Sequence, residues 1–566
     1  MPRLTRHYAH WPAGVPRTLD VPDRNLFDHL ACFAHSQPDK TAVEYYGRQI
    51  SYRELHLSAL RLAGYLQQHL EVRRGDRVVL LMQTCPQFAI ASYAVHRCDA
   101  VVVALSPMST PAELEYYIRD SGARVVITMQ ELLPAAQQLL DDGTLVGCVV
   151  GAYSELAGSA ADVPFLTIPP LVSEPFTVVG QARLHTFHGA LTAGIMPTAS
   201  VAKGDDLAVI AYTSGTTGKP KGAMLSHKAF VHALEARVRW MGVGDDVKGE
   251  YNELGVLPLN HLAGMCQMHV VLGSGRTLVW LTRWDAEAAL ALVDRRRLGG
   301  FGGVTPMLME ALAVLERQPH DISSVKRLMV GATAMPDAVA NALEQRFGLP
   351  LLESYGMTET CAATHINPLH AARRQCAGIP FINVDARVLD LESGEELGPG
   401  ESGELVTHTP TLFLGYWNMS DATAAAFVEI DGKRFIRTGD IGHYDEDGYF
   451  YITDRLKRMI NAAGFKIWPA EIESMLHGHP AVKEACIISA RDPRRGETVK
   501  AFVVLRPGMQ GTIAAEALIE WCRTQMAAYK VPRLVEFVEA LPRNATGKLQ
   551  WTEMQARQDA LDRQQA

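Results

Sequence analysis

The sequence lacks the features that mark membrane-spanning, disulfide-rich and nucleic-acid-binding proteins. No window reaches the roughly 18 uninterrupted apolar residues that suggest a membrane helix. The nine cysteines stand singly between Cys32 and Cys522, without a CxxC pair. This excludes a zinc-ribbon pattern and a disulfide framework and predicts reduced thiols. The formal net charge of −8 argues against nucleic acid as the main partner.

The remaining bulk properties are those of an ordinary globular protein. Hydrophobic residues make up 48% and charged residues 20% of the chain. With 566 residues, the chain is too long for a single core and should form several domains. The segment Met1–Pro12 lacks the apolar stretch of a secretory signal. We therefore expect a cytoplasmic protein.

Apolar runs alternate with helical patterns over the first half of the chain. Arg77–Met82 and Ala100–Leu105 read as strands, and Tyr52–His69 and Pro111–Ser121 as helices. Such alternation predicts an α/β fold with largely parallel sheets. Between residues 151 and 204 the periodicity fades, and this stretch is expected to be a connecting segment.

Short β-like pieces with turn signals from Asp385 to Tyr451 predict a smaller β-rich subdomain. The residues beyond Lys457 show a mixed α and β pattern, and they suffice for a small α+β domain. The predicted organisation is therefore a large N-terminal domain, 1–456, with α/β subdomains and the β-rich subdomain, followed by a C-terminal domain, 457–566.

The run Tyr212–Gly222 (YTSGTTGKPKG) is the most informative segment, and the apolar run Leu207–Ile210 leads into it. Its glycines, hydroxyls and lysines would form a loop of backbone N–H groups and cations that suits a polyphosphate. The pattern is not a Walker loop, because Thr213 stands where that motif has glycine and Pro220 follows Lys219. A plain Ser/Thr/Gly surface loop is the alternative reading.

This loop resembles, residue for residue, the phosphate loop of the acyl-adenylate-forming superfamily, which includes acyl-CoA synthetases, luciferases and the adenylation domains of peptide synthetases. The resemblance extends from about Asn25 to Leu549, with at least five motifs in family order. It implies that ATP is bound by the loop and the segment after it. The loop residues concerned are Thr213, Ser214, Gly215, Thr216, Thr217, Gly218, Lys219 and Lys221.

The segment Ser354–Thr360 (SYGMTET) resembles the family's next motif. The resemblance implies that Tyr355 lies against the adenine and that Glu359 binds Mg²⁺ between the ATP phosphates; Thr213 is a second candidate for that ion. Mg²⁺ typically takes one or two carboxylates together with phosphate oxygens. Further predicted ATP/AMP contacts are Gly331, Ala332, Thr333, Glu353, Ser354, Gly356, Met357 and Thr358.

Two later motifs match as well. By resemblance, Asp440 in Arg437–Asp440 accepts the ribose hydroxyls, a task that suits a carboxylate. In Asp454–Lys457, Arg455 would help to hold the ribose and Lys457 would be the hinge on which a mobile C-terminal domain turns. A charged helix start is the alternative reading. The segment from Gly403 to Tyr416 resembles a further family segment. His408–Pro410 stands there in place of the usual Arg-Gly-Pro, and the missing glycine touches no expected chemistry.

Lys548 follows Thr546–Gly547, as a catalytic lysine does in the family. A cation there would bridge the attacking carboxylate and the α-phosphate, which repel each other. The resemblance further implies that CoA reaches the acyl-adenylate past the tunnel segment Ala462, Ala463 and Gly464. ATP and CoA are thus expected as co-substrates and Mg²⁺ as cofactor.

The acid is expected to be an apolar monocarboxylate, because the residues implied in the acyl pocket are mostly small or neutral. These residues are His261, Gly264, Thr305, Gly331 and Gly356. The segments Asp454–Glu473 and Tyr529–Pro532 most resemble bacterial medium- to long-chain fatty acyl-CoA synthetases. Several alternatives stay open: an aryl or coumarate-type CoA ligase, a ligase that loads a carrier protein, a luciferase-like fate and a non-catalytic sensor. Homodimer formation and peripheral contact with a membrane are also left open.

Overall fold

The computed structural model describes residues 4–178, 180, 182–213, 220–242, 252–331, 335–361, 363–462, 465–543 and 549–564. The chain forms two compact units. Unit 1 comprises Met1–Asp385 and Thr407–Ile436, and unit 2 comprises Ala386–Val406 and Arg437–Ala566. The domain boundary expected at 456/457 stays a prediction.

Most strands have two to seven residues, whereas β21, β25 and β26 have ten to twelve. In chain order they are β1 Thr41–Tyr45, β2 Arg48–Ser51, β3 Arg77–Leu81, β4 Val101–Leu105, β5 Val125–Met129, β6 Gly147–Gly151, β7 Leu184–Thr186, β8 Leu207–Thr213, β9 Lys221–Ser226, β10 Glu253–Gly255, β11 Leu278–Trp280, β12 Gly300–Gly303, β13 Arg327–Val330, β14 Leu351–Gly356, β15 Ala363–Ile366, β16 Ile379–Pro380, β17 Asp385–Leu389, β18 Gly403–His408, β19 Gly415–Tyr416, β20 Phe427–Ile430, β21 Lys433–Tyr444, β22 Phe450–Arg455, β23 Ile460–Ala462, β24 Phe465–Ile467, β25 Val482–Asp492, β26 Gly496–Leu505 and β27 Leu534–Phe537.

The helices separate most of the parallel strands. They are α1 Leu26–Ser36, α2 Tyr52–His69, α3 Pro86–Arg97, α4 Pro111–Ser121, α5 Leu133–Asp141, α6 Pro170–Ser173, α7 Phe187–Thr192, α8 His227–Met241, α9 Leu262–Leu272, α10 Ala286–Arg296, α11 Thr305–Arg317, α12 Asp337–Phe347, α13 Ser420–Ala425, α14 Pro469–His477, α15 Ala515–Gln525 and α16 Trp551–Gln564. Short 3₁₀ turns cover Arg6–His10, Tyr153–Glu155, Thr358–Thr360, Leu369–Ala371 and Leu456–Arg458. No helix in the described ranges is long and apolar enough to cross a membrane.

Unit 1 is built on two large sheets. The first has the order β16-β15-β14-β13-β12-β10-β11-β1-β2, and its central strands from β14 to β1 run parallel. The second has the order β19-β9-β8-β4-β3-β5-β6-β7, in which β8 to β7 run parallel and β9 and β19 are antiparallel additions. The side chains of β4 and β5 are buried throughout, as expected for strands covered on both faces. The predicted α/β class is confirmed.

A third sheet has the order β17-β18-β21-β20, and β22 pairs with β21. The chain passes between the units along β17, β18 and β21. This sheet confirms the β-rich region that turn signals predicted. A fourth sheet, β24-β23-β26-β25 with β27 beside β26, carries α14 and α15 and gives the C-terminal part its own apolar core.

The stretch between residues 151 and 204 is not a mere connection. It contains α6, α7 and β7, and β7 continues the second sheet by pairing in parallel with β6. The sequence did not predict these elements, because a three-residue strand and helices of four and six residues are too short to show a periodicity of apolar residues.

Candidate active site

The predicted phosphate loop joins two paired strands. β8 and β9 are antiparallel, with Thr213 opposite Lys221, and Ser226 at the end of β9 caps α8 by accepting a hydrogen bond from the Ala229 N–H. This confirms the expected arrangement of a loop between a strand and a strand–helix segment. Thr213 is half-buried, and its hydroxyl faces the Lys221 carbonyl at 3.4 Å.

Helix α4 fixes both ends of this hairpin. The Tyr212 hydroxyl donates to Asp120 Oδ2 at 2.6 Å, and the Tyr116 hydroxyl donates to the Pro220 carbonyl at 3.0 Å. Asp120 and Tyr116 belong to α4, whereas Tyr212 and Pro220 belong to the hairpin. Two hydrogen bonds therefore tie Tyr212 and Pro220, which flank the predicted phosphate loop, to α4.

Lys221 carries a charge that no acid in the described part of the chain neutralises by an ion pair. Its Nζ lies 4.8 Å from the centroid of the Tyr416 ring. An ammonium group over an aromatic face is attracted by the ring but keeps its charge. Lys221 is thus a cation next to the loop that remains available for an anion.

Glu359 carries a negative charge that likewise has no partner in an ion pair among the described residues. Its side chain is buried, and Oε1 accepts a hydrogen bond of 2.8 Å from the Tyr416 hydroxyl. Its carbonyl accepts from the Phe413 N–H at 2.8 Å, which fixes the backbone. No lysine, arginine or histidine among the described residues forms an ion pair with it. Because buried carboxylates are normally paired with a cation or coordinate a metal, Glu359 fits a Mg²⁺ ligand.

Tyr416 is a residue that the motif analysis missed. The motif analysis assigned no role to the segment from Gly403 to Tyr416, whereas the structure places Tyr416 beside two predicted site residues. β19 pairs with β9, so that Tyr416 lies opposite Ala223 and its ring reaches both Lys221 and Glu359. The available signal was an aromatic residue after a glycine within a segment that already resembled the family. Its link to Glu359 spans 57 positions, which a motif cannot show.

The adenine segment forms the end of β14. Tyr355 pairs across the sheet with His365, and the two ring centroids are 5.7 Å apart. Ser354 is half-buried, and a Cβ on Gly331 would lie 3.5 Å from its hydroxyl. Gly331, Ser354 and Tyr355 therefore come together as predicted for one binding surface, although the contact with adenine itself stays a prediction.

Glu353, also predicted to contact ATP, is buried one residue before Ser354. Burial raises the pKa of Glu353 to about 6, although backbone N–H groups of Gln375, Met335 and Cys376 oppose the shift. The Gln375 N–H donates to Oε1 at 2.6 Å. The side chain is thus held by the neighbouring backbone, which suits a supporting position beneath the adenine segment.

The predicted acyl-pocket residues lie at one edge of the first sheet. His261 follows β10, Thr305 follows β12, Gly331 follows β13, and Gly356 ends β14. These four strands are neighbours and run parallel. In open α/β sheets, ligands bind outside the carboxyl ends of the strands. The topology therefore gathers these positions where a ligand would lie.

Gly264 has a packing role that its sequence context did not reveal. A Cβ at this position would lie 2.3 Å from the Pro258 carbonyl oxygen and 2.7 Å from that of Leu257. Backbone atoms cannot give way at such distances. His261, by contrast, is exposed and caps α9 through its ring nitrogen, which accepts from the Ala263 N–H at 3.2 Å. Thr305 is buried at the start of α11.

In unit 2, the predicted ribose residues pair with each other. Asp440 on β21 lies opposite Arg455 on β22, and Arg455 Nε is 2.5 Å from Asp440 Oδ1. Glu404 supports the preceding turn by accepting from Arg437 Nε at 3.0 Å and from the Gly439 N–H at 3.2 Å. Gly439 has φ +67°, which favours glycine. Glu404 is the second residue of the Gly403–Tyr416 segment that the motif analysis underrated.

The predicted hinge is a short 3₁₀ turn in which Lys457 is exposed. Its flanking residues are fixed to α14. Asp454 Oδ2 accepts from the Ala470 N–H at 2.6 Å, in the first turn of that helix. Arg458 is paired with Glu473 and lies 3.7 Å from Asp454 Oδ1. Burial raises the pKa of Asp454, and Arg458 opposes that shift.

Several predicted residues lie outside the described ranges: Ser214, Gly215, Thr216, Thr217, Gly218, Lys219, Ala332, Thr333, Ala463, Gly464 and Lys548. Ala462, the first residue of the predicted CoA tunnel, is buried at the end of β23. Met357 and Thr358 are half-buried between β14 and Glu359.

Comparison with known protein families decides the family. The model of the AMP-binding enzyme family matches residues 30–417, and that of the AMP-binding enzyme C-terminal domain matches residues 471–548. The chain belongs to the AMP-binding enzyme family. This confirms the resemblance drawn from the motifs and the predicted enzyme class, an AMP-forming acid–thiol ligase.

Individual members of the AMP-binding enzyme family match over nearly the whole chain. A long-chain-fatty-acid–CoA ligase of Bacillus subtilis (strain 168) is 34% identical over 555 residues, 96% of each chain. A feruloyl-CoA synthase of Amycolatopsis sp is 33% identical, covering 91% of this chain and 95% of that one. Among solved structures, ATP-bound MatB from Rhodopseudomonas palustris superposes with a TM-score of 0.82 at 27% identity, covering 95% of this chain and all of MatB.

Proposed function

We propose that this protein is an acyl-CoA ligase that activates a medium- to long-chain fatty acid with ATP, through an acyl-AMP intermediate, and transfers the acyl group to CoA. The observation that carries the proposal is a pair of uncompensated charges beside β8 and β9, the two strands that the predicted phosphate loop joins. Lys221 contacts the ring of Tyr416 and Glu359 contacts its hydroxyl, yet neither charge is neutralised by an ion pair within the described residues. Such an arrangement suits a ligand that brings both anionic oxygens and a cation.

In the first half-reaction, the carboxylate of the acid attacks the α-phosphorus of ATP and pyrophosphate leaves. Lys221, Thr213 and the loop residues bind the phosphate oxygens, and Asp440 accepts the ribose hydroxyls. Mg²⁺, held by Glu359, would neutralise charge on the triphosphate when bound. Lys548 bridges the attacking carboxylate and the α-phosphate and lowers the barrier by stabilising crowded negative charge.

In the second half-reaction, the CoA thiolate attacks the acyl carbonyl and AMP leaves. The proposal follows the family plan in which residues 457–566 rotate about Lys457. This rotation withdraws Lys548 and brings Ala462, Ala463 and Gly464 to the acyl-adenylate. A glycine at 464 leaves room for the pantetheine arm, because it has no side chain.

Two points favour a fatty acid. None of the residues proposed for the acyl pocket is a lysine or arginine that could pair with a second carboxylate, and the Bacillus subtilis relative is named for long-chain fatty acids. The feruloyl-CoA synthase at 33% identity supports an aryl acid as the second candidate. A separate carrier protein as acyl acceptor is a third, which the CoA dependence of the reaction tests.

The experiment is pyrophosphate release by the purified protein with ATP and Mg²⁺ across acetate, octanoate, palmitate, benzoate and coumarate, each with and without CoA. We expect the fastest release with octanoate or palmitate and strong stimulation by CoA. Preference for coumarate would replace the fatty acid by an aryl acid. Release without stimulation by CoA would indicate a carrier protein as the acyl acceptor. The absence of pyrophosphate release with every acid would contradict the ligase assignment.

Replacement of the proposed catalytic lysine separates the two half-reactions. Lys548→Ala should suppress adenylation by a factor of about a hundred or more, because one positioned charge in a water-poor site contributes that much. Thioester formation from supplied acyl-AMP should be retained. Equal loss of both half-reactions would contradict the rotation about Lys457.

A further inference from the structure

Tyr416 occupies a position between two opposite charges that would otherwise attract each other. Its ring face receives Lys221 Nζ at 4.8 Å, and its hydroxyl donates to Glu359 Oε1 at 2.8 Å. Lys221 and Glu359 form no ion pair with each other, and neither pairs with another described residue. The cation therefore contacts the ring of Tyr416, and the anion contacts the hydroxyl of the same side chain.

The orientation of this tyrosine is fixed on three sides. Its backbone pairs with β9, the strand that begins at Lys221, and the Tyr416 N–H donates to Thr423 Oγ1 at 2.8 Å. The Phe413 ring packs against it with centroids 4.8 Å apart and an interplanar angle of 69°. The ordinary pKa of a tyrosine is about 10, so the hydroxyl keeps its proton at neutral pH and remains a donor.

We propose that Tyr416 is a positioning residue that holds Glu359 for Mg²⁺ and Lys221 for the ATP phosphates while keeping the two from pairing. This inference rests on the proposed function. The hydroxyl fixes one oxygen of the Glu359 carboxylate and leaves the other for the cation. The ring holds the lysine without neutralising it, because a cation over an aromatic face keeps its charge. Tyr416 itself touches neither of the reacting atoms.

Two substitutions separate the two tasks. Tyr416→Phe removes the hydroxyl and keeps the ring, so only the hold on Glu359 is lost. Tyr416→Leu removes both the hydroxyl and the aromatic face. Tyr65→Phe is the matched control, because its hydroxyl bonds to His185 at 2.8 Å in another part of unit 1. Urea unfolding of each variant checks that the fold is retained.

The measurement is the affinity for ATP by titration calorimetry without any acid, once with EDTA and once with saturating Mg²⁺. No reaction takes place, so the readout is binding alone. In Tyr416→Phe the affinity in EDTA should stay within about twofold of the wild type. The gain from Mg²⁺ should fall about tenfold, as for loss of a hydrogen bond to a charged group. Tyr416→Leu should also weaken binding in EDTA about fivefold, through loss of the cation–aromatic contact.

An unchanged gain from Mg²⁺ in Tyr416→Phe would overturn this inference while leaving the proposed function intact. Equal losses of affinity in EDTA for the phenylalanine and leucine variants would also overturn it, because they would indicate a general packing role. A wild-type protein that binds no ATP under either condition would overturn the proposed function and, with it, this inference.

Discussion

In unit 1, two buried carboxylates next to the predicted ATP site accept hydrogen bonds from neutral groups, whereas two carboxylates at the predicted ribose site and hinge of unit 2 are paired with arginines. Glu359 is held by a tyrosine hydroxyl and Glu353 by backbone N–H groups. Asp440 is paired with Arg455, and Glu473 with Arg458. Glu359 and Glu353 have no cationic partner among the described residues, whereas Asp440 and Glu473 are compensated by arginines within the chain.

The two regions therefore differ in the charge that a bound ligand would have to supply. A buried carboxylate without a cation is costly until a cation arrives, so Glu359 favours binding of a metal. A carboxylate already paired with arginine gains less from a further partner, and a ribose bound at Asp440, as proposed, would have to share the carboxylate with Arg455. Ligand charge should therefore matter most in unit 1, and internal pairing should matter most for the stability of unit 2.

The largest effect is expected from Arg458→Met. It removes the cation between two acidic side chains, Asp454 and Glu473, while the methionine retains much of the volume. Loss of one partner of a buried pair costs about 3–5 kcal/mol. Urea unfolding should show this loss in the transition that reports on unit 2. A change below about 1 kcal/mol would contradict the view that the arginine stabilises this unit.

Glu359→Gln should have the next largest effect, and it should act on catalysis and not on stability. The amide keeps the hydrogen bond with Tyr416 but removes the charge for Mg²⁺. Pyrophosphate release at limiting Mg²⁺ should fall about a hundredfold, the range found for single electrostatic groups in active sites. The midpoint of thermal unfolding should stay unchanged or rise. The exposed residue Glu429 provides the control Glu429→Gln, which should leave both quantities unaltered.

Glu353→Gln tests the unit 1 carboxylates through the pH dependence of stability. Burial raises the pKa of Glu353 from 4.5 to about 6, so the folded state binds the proton more tightly than the unfolded state. This stabilisation is complete below pH 4.5 and is lost as the pH rises through about 6. The wild type should lose about 2 kcal/mol of unfolding free energy over that window.

The glutamine side chain of the Glu353→Gln variant has no proton to release, so the variant should show a flatter profile over the same window. Urea titrations at closely spaced pH values between about 4 and 7, which bracket both pKa values, measure the difference between the two proteins. Parallel profiles for the wild type and the variant would exclude Glu353 as the titrating group.

Asp440→Ala should have the smallest effect of the four. It removes the proposed ribose acceptor and frees Arg455, which is partly exposed and can be solvated. Loss of one or two hydrogen bonds should weaken ATP about tenfold. Titration calorimetry with ATP measures the loss, and AMP should be weakened to the same extent because it carries the same ribose. Unchanged affinity for both nucleotides would remove Asp440 from the ribose site.

The sequence was informative wherever a local pattern was long enough. The bounds of α2 and α4 agree with their helical period, and the strand before Tyr212 agrees with its apolar run. The structural role of a glycine was harder to predict from the sequence. Gly264 was implied to line the acyl pocket, and the structure shows in addition that the backbone at Leu257 and Pro258 requires a glycine there. A sequence cannot distinguish a glycine that opens a pocket from one that closes a contact.

The parts that could not be predicted depend on contacts between distant segments. Tyr416 reaches Glu359 only because β19 adds to β9, and a strand of two residues has no periodic signal. Glu404 supports the Asp440 turn from 35 positions before Gly439. The motifs therefore located the groups proposed to contact ligand, whereas the residues that orient these groups appeared only in three dimensions.

The most direct test of an acyl-AMP pathway uses octanoate whose carboxylate oxygens carry a heavy oxygen isotope, with ATP, Mg²⁺ and CoA. Mass spectrometry then follows the label into the nucleotide product. If the carboxylate attacks the α-phosphate, AMP should carry one heavy oxygen and the released pyrophosphate none. AMP without label, or label found in inorganic phosphate together with ADP, would contradict the proposed pathway.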